Sequence, residues 1–118
     1  MSNPNLSAAT YSRFLNLVQA LRDRPQSLQL DPLEERLLNQ MVALWSRGQK
    51  VTVVEAMNMS PDASAATVHR RLKILYDKGV LALEGSSTDN RVRYIVPTSA
   101  TRKYLDQLGQ CLHQAALT

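Results

Sequence analysis

The chain has 118 residues, 44% of them hydrophobic, and 14 Lys and Arg against 10 Asp and Glu give it a net charge of +4. It is long enough for one domain with a modest core and too apolar for a disordered segment, and no apolar run approaches the roughly 20 residues a bilayer requires. A single cysteine excludes an internal disulfide framework, and the opening Met-Ser-Asn-Pro-Asn-Leu-Ser lacks the basic start and apolar core of a secretion signal, so a reducing, cytoplasmic setting and no membrane partner are expected.

The first predicted element is a helix over residues 7–24, with Tyr11, Phe14, Leu15, Val18 and Leu21 on one stripe and Pro25 ending it. Asp31 and Pro32 then supply the cap and first position of a second helix. Glu34 and Glu35 in its first turn complement the helix dipole. Leu33, Leu37, Leu38, Met41, Leu44 and Trp45 give it a buried face, and Gly48 stops it. Thr52-Val-Val-Glu55 has the spacing of a capping box and opens a short third helix to about Asn58.

After the turn Ser60–Ala63 comes the most informative stretch, Ser64-Ala-Ala-Thr-Val-His-Arg-Arg-Leu-Lys-Ile-Leu-Tyr-Asp-Lys-Gly79. Ser64 can cap a helix whose apolar face is Val68, Leu72 and Leu75, and Gly79 suits the left-handed residue beyond its end. A strand from Val80, a polar turn Gly85–Asn90 and a basic strand Arg91–Val96 follow, and Thr98 opens a last helix carrying Tyr104, Leu105, Leu108 and Leu112. The expected fold is mainly α with a small β-hairpin. It is a single domain: a winged helix-turn-helix (31–97) flanked by N-terminal (7–24) and C-terminal (98–116) helices that are candidates for dimerisation.

Charge is distributed unevenly. Arg70, Arg71, Lys73, Lys78, Arg91 and Arg93 all fall in the helix–hairpin unit, whereas acids gather at Asp31, Glu34 and Glu35. A helix fits the major groove, where each base pair offers its own donor and acceptor pattern, and arginine is favoured in a narrow minor groove. The candidate DNA contacts are therefore Ser64, Ala65, Ala66, Thr67, His69, Arg70, Arg71 and Lys73 on the helix, and Asn90, Arg91 and Arg93 on the wing. Ala65 and Ala66 permit close approach.

Plainer readings stand beside these. The helix basics can form a solvated face, His69 can read a base or sit on the surface, and Asp89 and Arg91 can belong to an ordinary polar turn. Arg71, one helical step of about 100° from Arg70, can bind phosphate or pair with an acid. Lys50 can touch phosphate or remain a solvated lysine. Cys111 reads as a buried or seam-facing thiol rather than a redox switch, and His113 lacks a second metal ligand at helical spacing.

Thr67-Val-His-Arg-Arg-Leu-Lys-Ile-Leu-Tyr-Asp-Lys-Gly-Val-Leu81 resembles the recognition helix and first wing strand of the MarR family of bacterial winged-helix transcription regulators. Asp89-Asn-Arg91 is similar to that family's Asp-x-Arg wing signature, and Thr98 to the threonine opening its next helix. The resemblance spans roughly 30–108. It implies that Asp89 orients Arg91 and that Arg91 contacts DNA.

Three features depart from the pattern. The turn Ser60–Ala63 is longer than usual, Thr101 stands where glycine is usual, and the chain ends soon after Leu112, where members continue into another helix. Dimerisation is thus expected to use the 7–24 helix and the single C-terminal one.

The resulting expectation is a sequence-specific double-stranded DNA-binding regulator, with repression the favoured output, acting as a homodimer. No cofactor, no metal and no enzyme activity are expected, and a small-molecule effector has no support in the sequence. The rival is a winged-helix module that docks proteins, or a plasmid or phage accessory factor without regulatory DNA binding.

Overall fold

The computed structural model describes residues 4–117. In chain order it contains α1 (Pro4–Arg22), α2 (Pro32–Ser46), β1 (Val51–Thr52), α3 (Val53–Met57), α4 (Ala65–Asp77), β2 (Leu81–Gly85), β3 (Arg93–Pro97) and α5 (Ser99–Leu117). The described residues fall into two units: residues 30–101, and residues 4–29 with 102–117. No helix is long and apolar enough to cross a membrane among the described residues.

The unit of residues 30–101 is the helix-turn-helix with its wing. Leu37, Leu38 and Met41 of α2, Ala56 of α3, Val68, Leu72 and Leu75 of α4 and Val51, Val80, Leu81 and Ile95 around the sheet are buried together as its apolar core. The expected hairpin gains a third strand, in the order β1-β3-β2, with Val51 opposite Ile95 and Thr52 opposite Tyr94. Two residues carry no readable periodicity, so β1 was invisible in sequence; Val51, buried against the sheet, holds it there. The Trp45 indole N–H donates to the Ile95 carbonyl at 3.0 Å, tying α2 to the central strand.

Helix ends follow the expected chemistry. Thr52 and Glu55 form the reciprocal capping box, and Gly48 and Gly79 both adopt φ +76°, open to glycine at no steric cost. At α5 the Thr101 N–H donates to Thr98 Oγ1 (3.2 Å), as the expected cap requires. The second strand of the wing starts at Arg93 rather than Arg91, because 86–92 close a longer hydrogen-bonded turn, in which Ser86 N–H donates to the Val92 carbonyl and Val92 N–H to the Asp89 carbonyl.

The other unit contains α1 and most of α5. Helix α1 begins at Pro4, three residues before the expected start, and ends at Arg22. Its stripe is only partly covered: Val18 and Leu21 are buried, whereas Tyr11 and Leu15 are exposed. In α5 the buried side chains of this unit are Tyr104, Cys111 and Ala115, and Leu112, on the expected apolar stripe, is 56% exposed. The Arg13 guanidinium donates to the Ala115 carbonyl from Nε (3.3 Å) and Nη2 (3.2 Å), satisfying an orphan acceptor near the end of α5.

Candidate nucleic-acid interface

Helix α4 is built so that its two long faces have different surroundings. Ser64 accepts the Thr67 N–H at 3.1 Å, as a cap does, and donates its own proton to Thr67 Oγ1 at 2.8 Å. Val68, Leu72 and Leu75 fill the core side. Ala65, Ala66, His69, Arg70 and Lys73 are all exposed and occupy an arc of about 140° at 100° per residue. Thr67 is half-buried at the arc's edge, where its hydroxyl also accepts a 3.4 Å bond from Arg70 Nη2.

Arg71 lies elsewhere. Its Nη1 is 2.6 Å from Asp31 Oδ2 and 3.6 Å from Glu34 Oε2, so of its two readings the acid pair is the one observed. Seven residues on, Lys78 Nζ donates to Glu34 Oε1 at 2.7 Å. Glu34 is itself the third residue of a capping box on α2: its N–H donates to Asp31 Oδ1 (2.8 Å) and its Oε1 accepts the Asp31 N–H (3.0 Å). The carboxylate is 1% exposed and compensated by two cations. Sequence reasoning credited Glu34 only with dipole complementarity; the Asp-x-x-Glu spacing Asp31–Glu34 was the available signal.

The wing turn is organised by two side chains. Ser86 Oγ accepts the N–H groups of Thr88 and Asp89, at 3.1 and 3.2 Å. Asp89 Oδ1 in turn accepts the Arg91 N–H at 3.0 Å and its Nε–H at 3.4 Å. The Arg91 side chain remains 92% exposed, held at its root by that contact. Arg93 folds back, Nη1 donating to the carbonyls of Asn90 (2.7 Å) and Val92 (3.2 Å), so Asn90 enters through its backbone.

Two groups of candidates therefore emerge, one along α4 and one at the wing turn, with Arg71 in neither. At the wing's root, Lys50 is exposed, as a solvated lysine is, and its Nζ stands 5.1 Å from the centre of the Tyr94 ring.

No family model and no curated protein matches the chain. Solved structures do. The heme sensor protein PefR from Streptococcus agalactiae, in complex with heme, aligns with a TM-score of 0.59 at 19% identity, covering 97% of this chain and 76% of that one. A probable transcriptional regulator from Pseudomonas aeruginosa aligns at 0.54 and 18%, covering 93% and 79%. Bordetella bronchiseptica BpsR, whose DNA binding is regulated by 6-hydroxynicotinic acid, aligns at 0.52 and 18%, covering 98% and 77%. The likeness is one of fold: the winged-helix architecture implied by the resemblance to MarR regulators is the architecture found.

Proposed function

We propose that the protein is a non-catalytic, cytoplasmic regulator of transcription that binds double-stranded DNA in a sequence-selective way. Residues Ser64 to Lys73 enter the major groove. Ala65, Ala66, His69, Arg70 and Lys73 face the bases and adjacent phosphates, Ser64 and Thr67 build the helix start, and Arg91, oriented by Asp89, meets the flanking backbone or minor groove. Arg93 and Asn90 shape that contact, and Arg71 acts within the fold.

The observation that carries the reading is the division of α4. Its apolar face is consumed by the core while five small or basic residues remain exposed along one arc. Arg91, held by Asp89 and 92% exposed at the wing turn, adds a further cation to the same unit. The similarity in fold to structures described as regulators supports the same reading. Repression is the favoured output, since occluding a promoter requires no activating surface. The proposal includes no effector.

The active species in this reading is a symmetric homodimer on two half-sites about one helical turn apart. Exposed Tyr11, Leu15, Leu112 and Leu117 in the unit of α1 and α5 support it, as does a groove of about 590 Å³ lined in part by Tyr11, Phe14 and Leu112.

The test is selection of bound sequences from random duplex DNA, followed by titration of the recovered duplex at several salt concentrations. A recovered motif with two-fold symmetry and a salt-dependent affinity is expected. Failure to enrich any sequence, together with a salt-insensitive complex with a protein, replaces this reading with that of a protein-docking module.

A further inference from the structure

Glu34 touches α4 at two places. Arg71 and Lys78 are seven residues apart, two turns and about 20° from the same azimuth, so the backbone positions from which they converge on that one carboxylate are about 10 Å apart along the helix axis. One buried carboxylate thus restrains the tilt of α4 as well as its position. The apolar ridge of Val68, Leu72 and Leu75 cannot do this alone, because hydrophobic contact is non-directional and tolerates small rolls and slides. Glu34 is itself fixed, since its backbone and side chain are both engaged with Asp31 at the start of α2.

We propose that Glu34 is a positioning residue for sequence-selective DNA binding, acting through Arg71 and Lys78 to set the angle at which α4 is presented. The inference rests on the DNA-binding reading above. The consequence follows from geometry. Ala65 lies six positions, about 9 Å, from Arg71, so a tilt of about 10° about Arg71 displaces the helix tip by about 1.6 Å. Close packing of Ala65 and Ala66 against base edges does not survive such a shift, whereas His69, two positions from Arg71, moves by only about 0.5 Å. A long exposed arginine such as Arg91 follows a phosphate through it. Loss of the restraint therefore reduces discrimination between sequences and spares non-specific affinity.

Glu34→Gln keeps the shape and removes the charge; Lys78→Met, at a partly exposed site, breaks the contact from the other side and leaves Arg71 as the carboxylate's cation; Lys78→Arg retains the contact. Each is compared with wild type for binding to the duplex that wild type selects and to random-sequence duplex. Hydrogen exchange of the α4 amides is followed in the free proteins.

Glu34→Gln and Lys78→Met are expected to lose about tenfold in selectivity, the value of a single base contact, with random-duplex affinity retained. Their α4 amides exchange faster, and Lys78→Arg behaves as wild type. Equal losses on both DNAs, or α4 exchange identical to wild type, overturn the proposal. If wild type itself selects no duplex, the functional reading fails instead, while the exchange data still decide whether Glu34 restrains α4.

Discussion

Replacing Arg91 by alanine separates binding from folding more cleanly than any other single change. The side chain is 92% exposed and, among the described residues, its acid contact is a 3.4 Å approach to Asp89. Its removal is expected to leave the melting temperature within about 2 °C of wild type. On DNA the effect is larger and depends on conditions. One phosphate contact releases about 0.9 counterion, which corresponds to about eightfold in affinity at 0.1 M salt and about twofold at 0.5 M. In a dimer both wings lose the contact, so the factor becomes about 60 at 0.1 M and the slope of log K against log salt falls by about 1.8. Fluorescence anisotropy with labelled duplex across that salt range reads both quantities. Parallel lines for wild type and variant refute the assignment, even if the variant binds more weakly, because a lost phosphate contact must change the slope.

Two further outcomes test other parts of the structure. Leu112→Glu places a charge in the exposed apolar patch of α5 and should convert a dimer to a monomer by native mass, with weakened operator binding. Tyr76→Phe removes a buried hydroxyl that has no hydrogen-bond partner among the described residues, and should stabilise the fold by up to about 1 kcal/mol in chemical denaturation at neutral pH. Burial raises the Tyr76 pKa above the ordinary tyrosine value, so its proton is held more tightly in the folded state. The corresponding stability is present below about pH 10 and lost as pH rises through the raised value; the phenylalanine variant should lack that part of the alkaline decline.

What sequence could reveal depended on how local the controlling physics was. The α4 boundaries were legible because Ser64 and Gly79 act through the backbone within a turn of themselves, and its core face because 68, 72 and 75 repeat at helical spacing. The inner face of α5 was not. Leucines at 105, 108 and 112 suggested a stripe, but the buried positions are Thr101, Tyr104, Cys111 and Ala115. A polar Thr101 is stable there because its hydroxyl donates to the Val80 carbonyl at 2.7 Å, a partner 21 residues away that no local pattern announces. The same holds for Glu34. Its spacing from Asp31 could be read, but its burial against Arg71 and Lys78 depends on two helices meeting.

That long-range pairing changes what the chain's basic balance means for its partner. Six cations lie in the helix and wing, and counting them all as phosphate contacts predicts a salt slope of about −11 for a dimer. Arg71 and Lys78 are already compensated by Asp31 and Glu34, so their charge belongs to the fold. Arg70, Lys73, Arg91 and Arg93 remain, and for two protomers they give about −7. A measured slope steeper than about −9 would mean that DNA draws Arg71 or Lys78 away from Glu34, an exchange that would expose a buried carboxylate beside a polyanion. Repulsion and desolvation both oppose that exchange, so the shallower slope is the expected one, and it identifies which part of the net charge faces solvent for binding.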